Sequence, residues 1–90
     1  MSDGGVVEQV FVVRSELGLH ARPAGRLASL AARFESDITL GRGDEWVSAA
    51  SVLSILCLAA TQGTELRVRA DGPDAEQAVM ELGGLIEAED

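Results

Sequence analysis

The sequence predicts an α+β open-faced sandwich, a four-stranded antiparallel sheet with three helices on one of its faces. Three observations carry that expectation. Thr64 to Asp71 alternates strictly, with Leu66, Val68 and Ala70 on one side and Glu65, Arg67 and Arg69 on the other, the period of a half-buried strand. Ala24, Leu27, Ala28, Ala31 and Phe34 recur at the spacing of one helix face. The two periodicities then follow each other as strand, helix, strand, strand, helix, strand, helix, an order that gathers the helices over the apolar face of one sheet.

Residues 1–5 are small, polar and glycine-rich and read as a tail, leaving residues 6–90 as a single domain with no internal repeat. Val6 to Arg14 is valine-rich, with Phe11 and Val13 on one pleat face and Val10 and Val12 on the other. Ser15-Glu16-Leu17-Gly18 turns the chain. Pro23 falls in the first turn of the helix Ala21 to Phe34, where its missing N–H is no loss. Ile38 and Leu40 mark a second strand, Gly41-Arg42-Gly43-Asp44 a tight turn, and Glu45 to Ala49 a third strand. Ser51 is a natural N-cap for the apolar run Val52 to Leu58, which Gln62-Gly63 ends. After the alternating strand, Gly72-Pro73 turns and Asp74 is expected to cap a last helix whose inner face is Ala75, Ala78, Val79, Leu82, Leu85 and Ile86. The Gly83-Gly84 pair is expected to cost that helix about 2 kcal/mol relative to alanines and to weaken its end.

Composition narrows the function. The chain has 90 residues, a net charge of −8 and three aromatic side chains, and its seven basic residues are all arginine. An acidic surface with so few rings suits neither the phosphates nor the bases of a nucleic acid. No run approaches the ~18 apolar residues of a membrane span, and the N-terminus has no signal pattern, so a cytoplasmic chain without membrane insertion is expected. The single cysteine, Cys57, sits in an apolar run without an adjacent base and reads as a buried small hydrophobe. One histidine and one cysteine make no recognisable metal-ligand set, and no cofactor is expected. Arg42-Gly43-Asp44 spells an adhesion tripeptide but reads here as a hairpin turn.

The chemistry concentrates at His20, at a strand-to-helix junction. Helix N-termini offer unpaired N–H groups and a partial positive charge, which together bind anions. Arg22 adds a charged fork of donors for phosphate oxygens. A neutral imidazole can attack phosphorus, and the resulting dianion would sit where the helix stabilises it.

Gly18-Leu19-His20-Ala21-Arg22-Pro23-Ala24 resembles the active-site signature of HPr, the histidine-containing phosphocarrier of the bacterial phosphoenolpyruvate-dependent phosphotransferase system. The resemblance runs from Val6 to Ala88 and includes Ser51-Val52-Leu53-Ser54-Ile55-Leu56 and Thr61-Gln62-Gly63-Thr64 at the family's spacing from the histidine. It implies a stoichiometric carrier, not a catalyst. His20 would be phosphorylated on Nδ1 by enzyme I, with phosphoenolpyruvate as the ultimate donor, and would pass the group to the A domain of a sugar permease or a related acceptor. Arg22 would stabilise the phosphate. Ser51 matches the position that HPr kinase/phosphorylase modifies in many bacteria, although a serine there is explained equally by capping. Val52, Leu53 and Leu56 match the family's apolar docking patch.

The chain departs from the family in having no lysine around the histidine and in carrying Ala50 before Ser51. Arg22, Arg26 and Arg33 line the polar side of the first helix and can replace the usual basic edge, though singly Arg26 and Arg33 also read as a solvated face. A monomer is expected. The rival readings are a regulatory module working through Ser51, or a nitrogen-type phosphorelay in place of sugar uptake.

Overall fold

Why the chain closes as it does is clearest from the sheet. The computed structural model describes residues 5–89, so the expected N-terminal tail lies outside the described residues except for Gly5. Four strands and three helices follow in the order β1 (Gly5–Val12), α1 (Ala21–Ala31), β2 (Asp37–Arg42), β3 (Glu45–Ser48), α2 (Val52–Cys57), β4 (Glu65–Gly72) and α3 (Ala75–Ile86). The sheet is antiparallel throughout, in the order β1-β4-β2-β3. β4 is thus central, and its alternation separates the two faces. Leu66, Val68 and Ala70 are fully buried under the helices, while Glu65 and Arg69 face water. Phe11 and Val13, Ile38 and Leu40, Leu27, Ile55, Leu58, Val79, Leu82 and Ile86 complete one core between sheet and helices.

Several boundaries differ from the expectation, each for a local reason. α1 stops at Ala31, with Ala32 as C-cap, and Phe34 packs half-buried from the turn that follows. β2 runs on through Gly41 and Arg42, so the hairpin turn has two residues, Gly43 and Asp44. Gly43 stands at φ +60°, which suits the first position of a twisted hairpin turn. Gly41 stays in the strand because the Trp46 ring lies directly over it; a Cβ there would come within 2.9 Å of that ring. Arg67, paired with Gly41 across the sheet, places its guanidinium 4.4 Å from the Trp46 ring centre. It also donates to the Gly43 carbonyl.

Asp74 does occupy the N-cap position of α3, but its carboxylate does not cap that helix. It instead accepts from the Ser36 hydroxyl (2.6 Å), the Glu35 N–H (2.9 Å) and the Ser36 N–H (3.0 Å). α3 is thereby pinned to the loop between α1 and β2. The Ser36 hydroxyl first, and the Glu35 amide next, hold the Asp74 carboxyl below its ordinary range.

Cys57 is exposed, not buried. In α2 only Ile55 is buried, and Cys57 shares the outer side with Leu53, four residues earlier. The Gly83-Gly84 pair also has a reason: a Cβ on Gly83 would lie 2.1 Å from the Phe11 ring, so the missing side chain makes room for Phe11, while Gly84 faces open space. Among the described residues, no helix is long and apolar enough to cross a membrane.

Candidate functional site

The segment before α1 is held in place by the loop after α2. Gly18 adopts φ +70° and lies so close to that loop that a Cβ would stand 2.4 Å from the Ala60 carbonyl oxygen and 3.0 Å from Thr61 Cα. Both the dihedral and the contact require glycine. The next residue, Leu19, is buried in the core and donates its N–H to the Ala60 carbonyl at 3.0 Å. His20 follows as the N-cap of α1, half-buried, with extended backbone. Its N–H donates back to the Gly18 carbonyl (3.0 Å), and its carbonyl accepts the first helical bond from Ala24 (3.0 Å).

The first turn of α1 is Ala21, Arg22 and Pro23. None of these has a helical acceptor for an N–H, and Pro23 has no N–H to satisfy, so the orphan donors at this helix end are those of Ala21 and Arg22. Ala21 and Arg22 are exposed, whereas Pro23 and Ala24 are buried and fix the helix end to the core. The first turn carries no acidic residue, so no carboxylate of its own competes for the positive helix end. The histidine side chain makes no capping bond and is not committed to the helix. Chemically, the arrangement offers a ring nitrogen and two peptide donors at one helix mouth, with the Arg22 side chain exposed in the same first turn.

Arg22 and Arg26 also line a shallow open groove along α1, with Gly25, Ser29 and Arg33. The three arginines expected on the polar side of α1 thus share one groove, whose lining also includes Ala21 and Leu30.

Ser51 is the N-cap of α2, and its hydroxyl accepts the Ser54 N–H at 3.2 Å. α2 packs against α1. Beyond Ser51, Leu53 is 76% exposed and Val52 37%, while Leu56 is half-buried against the core. Sequence reading missed one residue here. Leu17, in the turn before His20, is a large apolar side chain left 74% exposed. The available signal was a large apolar side chain in a turn, between Glu16 and a glycine. Among the described residues, no cluster of three His, Cys, Asp or Glu side chains could hold a metal ion.

The chain resembles known proteins in both sequence and fold. The family model described as "PTS HPr component phosphorylation site" matches residues 7–88. The phosphocarrier protein HPr of Xylella fastidiosa (strain 9a5c) is 39% identical over 82 residues, an alignment covering 91% of this chain and 92% of that one. The multiphosphoryl transfer protein of Haemophilus influenzae is 46% identical over 85 residues, covering 91% of this chain but only 17% of that much longer protein. Among solved structures, the phosphocarrier protein HPr of Bacillus anthracis superposes with a TM-score of 0.87 at 32% identity, covering 91% of this chain and 98% of that one.

Proposed function

The chain belongs to the HPr family of phosphocarriers, and from that premise we propose that His20 is its phosphoryl acceptor, charged by enzyme I at the expense of phosphoenolpyruvate. The observation that carries this reading is the placement of the chain's one histidine as the N-cap of α1, its side chain uncommitted beside the orphan N–H groups of Ala21 and Arg22. In the transfer, the lone pair of Nδ1 attacks phosphorus and the N–P bond to His20 forms. The bond from phosphorus to the donor breaks, the donor leaves with its electron pair, and the proton on Nε2 of His20 stays where it is. The Ala21 and Arg22 amides and the Arg22 guanidinium take up the charge on the equatorial oxygens as it develops.

Release runs the same steps toward the A domain of a sugar permease or a related acceptor. Membership of a phosphocarrier family supports reading the protein as a stoichiometric carrier that passes the group on. Docking uses the apolar edge of α2, Val52, Leu53 and Leu56, together with Arg26 on α1. Phosphorylation of Ser51 by an HPr kinase/phosphorylase would place a charge of about −1.5 to −2 at the head of that edge and block docking. The exposure of Val52 and Leu53 next to the Ser51 cap supports that regulatory arm.

Incubation with phosphoenolpyruvate and enzyme I tests the core of the reading. Wild type takes up one acid-labile phosphate and folded His20→Ala takes up none; labelling of the mutant at wild-type level would place the acceptor elsewhere.

A further inference from the structure

The arginine at the end of the β2–β3 hairpin has no role in the reading above, and its side chain leads back to the histidine. Arg42 Nη1 donates to two consecutive carbonyls, those of Leu58 and Ala59, each at 2.8 Å. Leu58 is the C-cap of α2, whose last turn has no basic residue of its own. Arg42 therefore supplies from another element the cation that a helix C-terminus favours. Ala59 stands at φ +51°, the only non-glycine residue among those described with a left-handed backbone. An alanine keeps that conformation only where its surroundings over-determine it. The two Arg42 bonds, with the Ala59 N–H donating to Leu56 (3.0 Å), are those surroundings.

The next residue makes the connection. The Ala60 carbonyl receives the Leu19 N–H and forms the wall against which Gly18 fits, and the peptide after Leu19 is that of His20. The direction in which the Ala60 carbonyl points depends on the backbone of Ala59, which Arg42 holds. We infer that Arg42 is a positioning residue for the phosphoryl acceptor, acting through segment 58–60 without contact with the phosphate. The inference rests on the reading of His20 as acceptor, and it assigns a function to a turn that sequence reading treated as a connector.

Three measurements on the whole protein test it: amide hydrogen exchange at Leu19, the 15N shifts of the His20 imidazole, and steady-state phosphorylation by enzyme I. In Arg42→Ala, with folding checked by urea melts, Leu19 exchanges about 5- to 10-fold faster while the Val79 amide in α3 is unchanged, the scale of losing one net hydrogen bond from an exposed side chain by local opening. The imidazole shifts move, and kcat for accepting phosphate falls about 3- to 10-fold with KM within about twofold, as expected for lost geometry rather than lost binding. Arg42→Lys, which keeps a cation able to reach both carbonyls, restores more than half of kcat; if Arg42→Ala does not fold, Arg42→Gln carries the same comparison.

Unchanged Leu19 exchange and imidazole shifts would overturn the inference. So would a raised KM with kcat intact, since that is a docking effect. Failure of the wild type to accept phosphate would instead remove the acceptor reading, and the exchange and imidazole measurements would still decide whether Arg42 governs the loop.

Discussion

Substituting alanine at each of the two adjacent glycines of α3 should move stability in opposite directions. In a helix interior, glycine costs about 1 kcal/mol relative to alanine, so propensity alone predicts the same gain at both positions. At Gly84 nothing lies within 4 Å of an added Cβ, so half or more of the gain is realised even in the last turn of the helix. At Gly83 the added carbon would meet the Phe11 ring at 2.1 Å. To reach an ordinary carbon–carbon separation, ring or helix must retreat by about 1.5 Å. The ring belongs to a buried residue on β1, which is hydrogen-bonded to β4, so the shift has to be taken up by packed structure. Overpacking of this kind costs about 3 kcal/mol, at or above the top of the usual range. Set against the propensity gain, Gly83→Ala is destabilising by about 2 kcal/mol, whereas Gly84→Ala is stabilising by about 0.5 to 1 kcal/mol. In a domain of this size the shifts in Tm are about −8 to −16 °C and about +2 to +8 °C respectively. Thermal and urea unfolding of the two single mutants, monitored by circular dichroism, reads both. If Gly83→Ala proved as stable as Gly84→Ala, Phe11 would not depend on the missing side chain, and the packing of α3 on β1 described above would be wrong.

Four further outcomes follow from the site and its supports. Arg22→Ala should reduce kcat/KM for phosphorylation by enzyme I about 10- to 1000-fold, the scale of one transition-state donor, with Arg22→Lys between it and wild type and all three melting alike. Ser51→Ala removes the acceptor of the Ser54 N–H and should cost about 1 kcal/mol in urea unfolding. Ser51→Asp keeps a cap but should slow phosphorylation by placing a charge beside exposed Val52 and Leu53, and equal kinetics would reduce Ser51 to a structural residue. For Asp74, whose folded-state pKa is lowered from the ordinary 3.8, the folded form binds its proton less tightly than the unfolded chain. Its contribution to stability is thus complete above that ordinary value and lost as pH falls through the lower folded value, so the stability gap between wild type and Asp74→Asn should narrow on acidification.

How much of this could be read from the sequence depended on whether the cause of a feature was local. The alternation of β4 and the apolar stripe of α1 are periodic signals that need no partner, and both were legible. So was the Ser51 cap, whose acceptor and donor lie three residues apart. The placement of His20 at the mouth of α1 followed from Pro23 and the glycine before it. Asp74 was misread because a carboxylate at an N-cap position has a local use, and its real partners, Glu35 and Ser36, come near only once the fold is complete. Gly83 looked like a weakness for the same reason, since Phe11 is at the other end of the chain. Cys57 failed differently. α2 is apolar nearly all round, so periodicity could not tell its inner side from its outer one, and Leu53 and Cys57 ended up in water.

A net charge of −8 looks ill suited to holding a phosphoryl dianion, but charge distribution matters more than the total. At physiological salt, exposed charges more than about 8 Å apart are largely screened from one another. What a phosphate on His20 would feel is therefore the helix it stands on. α1 carries Arg22 and Arg26 and no carboxylate over its whole length, and Arg33 follows just beyond its end. Many acidic side chains are placed elsewhere, with Glu76, Glu81 and Glu87 on or just beyond α3 and Glu8, Glu65 and Asp71 on the strands, although Glu16 stands in the turn before His20 and Glu35 follows Arg33. On the proposed reading, the orphan amides of Ala21 and Arg22 and the guanidinium of Arg22 supply the short-range stabilisation, and the arginine stripe extends it along the groove. Arginine suits the first role better than the missing lysine, because its planar fork can make two parallel bonds to one phosphate. The site thus needs no basic surface beyond its own helix, and the rest of the chain is free to be acidic.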